Sequence, residues 1–294
     1  MVPIINLPAT GAEARIAARN NTYTTSTSGI ANTFLQANLI VLPSRFASDF
    51  RLLCLRNPVP CPLLAESARV GCFDELKSWL PGIEDSRIAA GIDIRRDAPR
   101  YMVYEDGELK KFQCADIVEE WSEDHVAFLI GCSYSFENAL TAAGLPPRHA
   151  VMGRNVPMYR TRLPLCPAGI FTGATYVVSM RMYKRSEVET VRDVTRPYVA
   201  THGEPIAWGW EAVKELGIED IHVPEWGDAP LTLEGKHLSE EDKDMVPVFW
   251  GCGVTPQEAV MKAKLPGVVL GHAPGHMIVV DVREWEVLEE KNPN

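Results

Sequence analysis

The chain has 294 residues, 46% of them hydrophobic and 23% charged, a globular balance that leaves room for one large domain or two modest ones and for a real core. Its formal net charge of -10 argues against nucleic acid as a partner, because phosphate binding needs Lys and Arg in surplus on one face. No stretch approaches the ~18 uninterrupted apolar residues of a membrane span, so no membrane partner is expected either.

In chain order, residues 13–20 read as a short helix and the polar TYTTSTSG stretch behind it as a loop. NLIVLP, ending at Pro43, has the look of a buried strand, and a helix follows from Ser44 to about Arg56. Pro58, Pro60 and Pro62 enforce an extended connector, each fixing its own φ and turning its predecessor away from helix. GIEDSRIAAGIDIRRDAPR reads mostly as loop, and YMVYEDGELK as a hairpin turning at Asp106-Gly107. Pro197 to Pro205 is another irregular passage. WEAVKELGI is a helix stopped by Gly217, and the PEWGD turn leads through a charged hairpin or helix into the C-terminal strands. Strands alternating with helices of about ten residues predict an α/β fold with mixed sheets and flanking helices. The expected division is a main subdomain of residues 1–120 with 245–294 and a second subdomain of residues 121–244. Cys54, Cys61, Cys72, Cys114, Cys132, Cys166 and Cys252 form no CxxC pair; an odd count at irregular spacing fits reduced thiols and a cytoplasmic protein.

One segment is written twice. VAFLIGCSYSFENALTAAGLPP (Val126–Pro147) aligns without a gap on VPVFWGCGVTPQEAVMKAKLPG (Val246–Gly267), with identities at Gly131/Gly251, Cys132/Cys252, Ala139/Ala259 and Leu145/Leu265 among others. A later strand follows each copy, YVVSMR and IVVDVR, so a duplicated strand-turn-helix-strand unit is expected, with a cleft between the copies. An apolar strand that turns through Gly-Cys into a helix leaves backbone N–H groups aimed outward, a place that suits a carboxylate or phosphate. In the second copy Gly253 precedes Thr255, read as the helix N-cap with Glu258 completing a capping box; in the first, Ser133 and Ser135 take the same place, followed by Phe136 and by Glu137, a candidate catalytic carboxylate. Caps of this kind would satisfy the same N–H groups internally.

Several other residues suit acid–base chemistry on a small acid. GHAPGHM holds His272 and His276 among Gly and Pro, which rules out a helical HExxH zinc site and leaves two loop imidazoles as proton carriers or as groups satisfied by a tight turn. His202, before Gly203, is a third. Asn155, Tyr159, Arg160 and Arg181 offer an amide, a phenol and two guanidiniums, and Arg pairs bidentately with carboxylates. Cys252 stands where a nucleophile would, although a small buried residue is the commoner use of Cys. Asp228 and Asp281 are candidate acids, or turn caps.

GCSYSFE, NVPMYRT, VVSMR, HG followed by EP, PEWGD, VPVFWGCGVTPQ and HAPGHM, with QANLIVLP, NPVPCPLL and PRYMVYEDGEL in the same order, together resemble the D-glutamate cyclase family of bacterial hydro-lyase proteins, from about Arg15 to about Arg283. The resemblance implies a two-part α/β fold and, for the cyclase members, loss of water from D-glutamate to give 5-oxo-D-proline. It also makes the Ser- and Thr-rich first 30 residues part of the fold, although Arg15 and Arg19 give them a transit-peptide flavour. The chain departs from the pattern at Ala207, where HGxPxHxG has a His, and at Ala174 and Met182, where Pro is usual. Cyclising glutamate needs a base for the amine, donors for the oxyanion and an acid for the leaving hydroxide. The expectation is that His272 or His276 moves the proton, Arg160 and Arg181 hold carboxylates, and the turn after Gly251-Cys252 supplies oxyanion donors; elimination across a C–C bond would use the same parts. No cofactor is expected with certainty. A divalent metal is compatible with the chemistry, yet no ligand cluster announces one. A homo-oligomer, a dimer, is the expected assembly. The competing readings are a small-carboxylate binding or sensing protein and a Cys-dependent hydrolase.

Overall fold

The computed structural model describes residues 7–239 and 244–288. Twelve strands follow in chain order: β1 (Phe34–Pro43), β2 (Leu63–Ser67), β3 (Leu76–Ser78), β4 (Tyr101–Glu105), β5 (Glu108–Cys114), β6 (His125–Gly131), β7 (Met158–Pro164), β8 (Thr175–Lys184), β9 (Ala207–Trp208), β10 (Met245–Gly251), β11 (Val268–His272) and β12 (Ile278–Arg283). The helices are α1 (Gly11–Arg19), α2 (Ala47–Arg56), α3 (Asp85–Ile88), α4 (Glu137–Ala142), α5 (Arg148–Val151), α6 (Val188–Thr195), α7 (Trp210–Leu216) and α8 (Val254–Ala263).

The strands form two sheets. The larger runs β3-β2-β6-β1-β11-β4-β5, with β12 also on β1; the smaller runs β7-β8-β10-β9. The α/β architecture with flanking helices is as expected, but the strand pairs are antiparallel rather than mixed. The connections explain why: β4 and β5 are joined by the two-residue Asp106-Gly107 turn, both residues at positive φ (51° and 80°), which only an antiparallel pair permits.

The ten-residue apolar run of β1 is buried throughout. Its alternate side chains enter two cores, Leu35, Leu39 and Val41 on one face, Ile40 and Leu42 on the other beside Phe50 of α2 and Val260 of α8. A strand covered on both faces has no solvent side to show, and its two polar residues, Gln36 and Asn38, are buried and hydrogen-bonded to backbone carbonyls. The smaller sheet is sandwiched likewise: Trp250 packs with Leu140 of α4 and Val191 of α6, and its neighbour Phe249 with Leu216 of α7. Gly217 ends α7 at φ 76°, the left-handed position that glycine takes without strain.

Two strands cross the boundary drawn from the sequence. β6, from the 121–244 segment, lies in the larger sheet, and β10, from the 245–294 segment, lies in the smaller. After each Gly-Cys turn the chain changes sheets, so the first copy proceeds to β7 and β8 and the second to β11 and β12. Arg15 on α1 is 2% exposed and donates to both carboxylate oxygens of Asp281 (3.0 and 2.8 Å) and to the Val279 carbonyl (2.8 Å), which makes this N-terminal segment a packed part of the fold and Asp281 its anchor. Of the charged hairpin before β10, Leu231 bridges His237, while residues 240–243 lie outside the described residues.

Candidate active site

The ends of β6 and β10 meet. Asn38 on β1, 4% exposed, donates from Nδ2 to the carbonyl oxygens of Gly131 (3.1 Å) and Ile130 (3.3 Å), and a Cβ on Gly253 would collide with that same amide. Cys132 and Cys252 belong to one small core with Tyr134, Met158 and Met277. The convergence is therefore real but packed. Burial pushes the Cys252 thiol up to about 11 and the Cys132 thiol higher still, which leaves little thiolate at neutral pH and removes the nucleophile a Cys-dependent hydrolase requires. The capping box is corrected as well: α8 has Gly253 as its N-cap without side-chain capping, and Thr255 exchanges hydrogen bonds with the Val177 backbone on β8 (2.9 and 3.1 Å). A tertiary partner has taken the hydroxyl that local sequence assigned to the helix end.

Beside this convergence lies a buried ionic cluster. Arg181 on β8 donates from Nε (3.1 Å) and Nη2 (2.5 Å) to Glu137 Oε1, and from its terminal nitrogens to Ser133 Oγ (3.0 Å) and Ser179 Oγ (3.1 Å). Its guanidinium carbon stands 5.2 Å from the ring centres of Phe136 and of Trp250. His149 Nε2 is 3.0 Å from the same Glu137 oxygen, and its ring stacks on Tyr134 at 6.2 Å. Burial pushes the Glu137 carboxyl up, but the charges of His149 and Arg181 and their hydrogen bonds outweigh it and hold the group at about 2. Arg181, expected to grip a substrate carboxylate, is thus taken by Glu137. Glu137, expected to exchange protons, is a fixed anion at neutral pH.

A cavity of about 30 Å³ adjoins the cluster, lined by His149, Arg154, Asn155, Arg181 and Asp228, with Arg148 near Leu231. That volume matches roughly one water, so it fits one reacting group. Asp228 Oδ2 accepts the Asn155 backbone N–H (2.7 Å), and Arg154 Nη2 donates to the Ala229 carbonyl (3.2 Å). Arg154 Nε and Asn155 Oδ1 are buried without hydrogen-bond partners. Each such atom costs about 1–3 kcal/mol, and their gathering around one cavity is what a polar ligand would relieve. Asn155 Oδ1 also abuts Gly275, where a Cβ would stand 2.8 Å away, so the glycine admits the HAPGHM loop. On the other side of Glu137 a hollow of about 200 Å³ is lined by Ser28, Gln36, Tyr134, Ser135 and Asn138, and Ser28 Oγ donates to Glu137 Oε2 (3.4 Å).

The three expected imidazoles share one arrangement. Nδ1 of His202, His272 and His276 faces a backbone carbonyl, that of Val59 (2.8 Å), Ala273 (2.7 Å) and Pro274 (2.8 Å). A carbonyl only accepts, so each ring carries its proton on Nδ1. Burial pushes His202 and His272 down to about 4 and lowers His276. Nε2 of His202 and of His272 is buried without a hydrogen-bond partner, and His202 holds its place at φ 89°. Because the unfolded chain protonates such groups first, the contribution of His202 and His272 is fully present above pH 6.5 and is lost as pH falls from there to about 4, roughly 3 kcal/mol for each of these two at 1.36 kcal/mol per unit. His202→Asn, a residue that accepts the left-handed region, is expected to flatten the fall in urea midpoint between pH 7 and pH 4.5; an unchanged slope would contradict the assignment.

The remaining candidates lie elsewhere. Tyr159 is buried with its hydroxyl on the Ile221 carbonyl (2.6 Å). Arg160 is exposed and paired with Glu258 (2.8 Å). Ala207 sits on β9 opposite Phe249, and Met182 lines the cavity. His149, Arg154 and Asn38 escaped the sequence reading; the one available signal for the first two was their position directly after the first Leu-Pro stop. Among the described residues no group of three or more His, Cys, Asp or Glu side chains is placed to hold a metal ion, and no helix is long and apolar enough to cross a membrane.

The chain is thus a two-sheet α/β domain with a buried acid–imidazole–guanidinium cluster beside a small cavity. The pattern of D-glutamate cyclase matches residues 126–281. Relatives named "Putative hydro-lyase" include one from Schizosaccharomyces pombe, 44% identical over 92% of this chain and 83% of its own length. Others come from Geobacillus kaustophilus (43%; 95% and 97%) and Rubrobacter xylanophilus (44%; 94% and 96%). The chain belongs to the D-glutamate cyclase family. Among solved structures, a nitrogen repressor-like protein from Methanococcus jannaschii aligns over 96% of this chain and 98% of its own at 11% identity and a TM-score of 0.36, too remote to bear on fold or chemistry.

Proposed function

We propose that this lyase removes water from a small dicarboxylate amino acid in the manner of a D-glutamate cyclase, D-glutamate giving 5-oxo-D-proline and water. The reading is carried by the buried Glu137–His149 pair beside a cavity where two buried polar atoms, on Arg154 and Asn155, lack partners. In the reaction the amine nitrogen bonds to the γ-carboxyl carbon, and the carbon–oxygen bond to the departing hydroxyl breaks. His149, paired with Glu137, protonates the leaving hydroxide and is recharged by the proton that the amine loses, so that water leaves and the pair is restored. Arg154 pairs with a substrate carboxylate, and Asn155 Oδ1, an acceptor, takes a hydrogen bond from the substrate amine. Arg181 acts through Glu137 as a positioning residue.

Purified protein given D-glutamate, L-glutamate and a panel of hydroxy acids, with product followed by chromatography, tests the reading. His149→Asn is expected to lower kcat by about 10²–10⁴, and Arg154→Met to raise KM. Tight binding of D-glutamate with no product from any acid would establish a carboxylate-binding protein instead.

A further inference from the structure

Two histidines remain outside this chemistry. His222 follows α7 and His237 lies on the short arm that bridges Leu231, far apart in sequence yet facing each other at the surface: their Nδ1 atoms are 3.4 Å apart, with ring centres at 4.9 Å and planes at 90°. Two nitrogens each about 2.0–2.1 Å from one tetrahedral ion stand about 3.3–3.4 Å from each other. The same distance as a direct hydrogen bond would be long, since such bonds centre near 2.9–3.0 Å. We propose that His222 and His237 form a two-imidazole site for a borderline divalent transition cation, zinc being the reference ion, with water completing the shell.

The pair brackets the segment that builds one wall of the candidate cavity. Between the two histidines lie Asp228, Ala229, Pro230 and Leu231, all of which line it. The bracket is otherwise held by backbone hydrogen bonds such as Thr232 to the Lys236 carbonyl (2.8 Å) and Asp228 N–H to the Asn155 carbonyl (3.4 Å). Chelation would close this loop and so restrict the wall's opening, by the reasoning that makes any cross-link favour the folded state. The proposal is independent of the reaction assigned above.

The test uses the full chain after chelator treatment, titrated with zinc ion in competition with a chromophoric chelator and followed in parallel by thermal unfolding. One equivalent is expected to bind, weakened at least tenfold by His222→Gln and by His237→Gln, with a zinc-dependent rise in Tm in the parent that both variants lack. Both residues lie at least partly in solvent, so metal-free Tm should be the same in all three proteins. Zinc binding that survives both substitutions, for instance at the exposed Cys166, or a parent that binds no zinc at all, would overturn the proposal.

Discussion

Replacing Arg181 with methionine is expected to destabilise the chain by about 3–5 kcal/mol and to abolish turnover, because it strands the buried Glu137 carboxylate without its main hydrogen-bond donor. The side chains are 0% and 9% exposed, so water cannot take the missing place. Arg181→Met combined with Glu137→Gln should recover most of the lost stability, since a buried pair exchanged for neutral groups of similar size is often close to neutral. Activity should not return, because His149 would still lack its anion. The acid limb carries the same signature. Glu137 lies at about 2 in the fold against an ordinary 4.5, so its contribution is complete above pH 4.5 and is lost as pH falls from there toward 2, roughly 3 kcal/mol in all. Urea midpoints at pH 7, 4.5 and 3 should show this loss in the parent and not in the double variant. A double variant as unstable as Arg181→Met alone would mean that the cluster is held by something other than the pair.

Gly131→Ala should be far more damaging than the same change at the aligned Gly251. A Cβ on Gly131 would fall on the Ala200 carbonyl oxygen, a backbone atom that cannot swing aside, whereas on Gly251 it would stand 3.1 Å from the Val59 carbonyl oxygen. Overpacking against backbone costs roughly 3 kcal/mol or more, and the milder contact about 1 kcal/mol. Soluble yield and urea midpoints of the two variants give the comparison. Equal costs would show that the Ala200 segment yields and that the two turns are structurally equivalent, as their matching sequences suggest.

Local features of this chain were readable where local physics decides them. The apolar run of β1, the Asp106-Gly107 turn and the Gly217 stop each follow from a few adjacent residues. The site was readable only as an inventory. Glu137, Arg181, Asn155 and Asp228 all stood out, but that Arg181 is consumed by Glu137 depends on β8 and α4 being brought side by side, which no short window contains. His149 looked unremarkable because its meaning comes from a carboxylate oxygen 3.0 Å away on another helix. Arg160, next to a promising motif, is turned outward to Glu258 by the alternation of β7. Thr255 failed as a cap for the converse reason: its signature was clear, and the Val177 backbone outbid the helix for it.

The exchange of strands between the sheets bears on how the molecule is made. β1 leaves the ribosome early, but β11 and β12, which flank one of its edges, are not translated until residues 268–283. At about 5–20 residues per second the nascent chain must shelter a long, uncharged, aggregation-prone edge for on the order of tens of seconds. Chaperone demand during synthesis, rather than the stability of the finished enzyme, should therefore limit its yield in a foreign host.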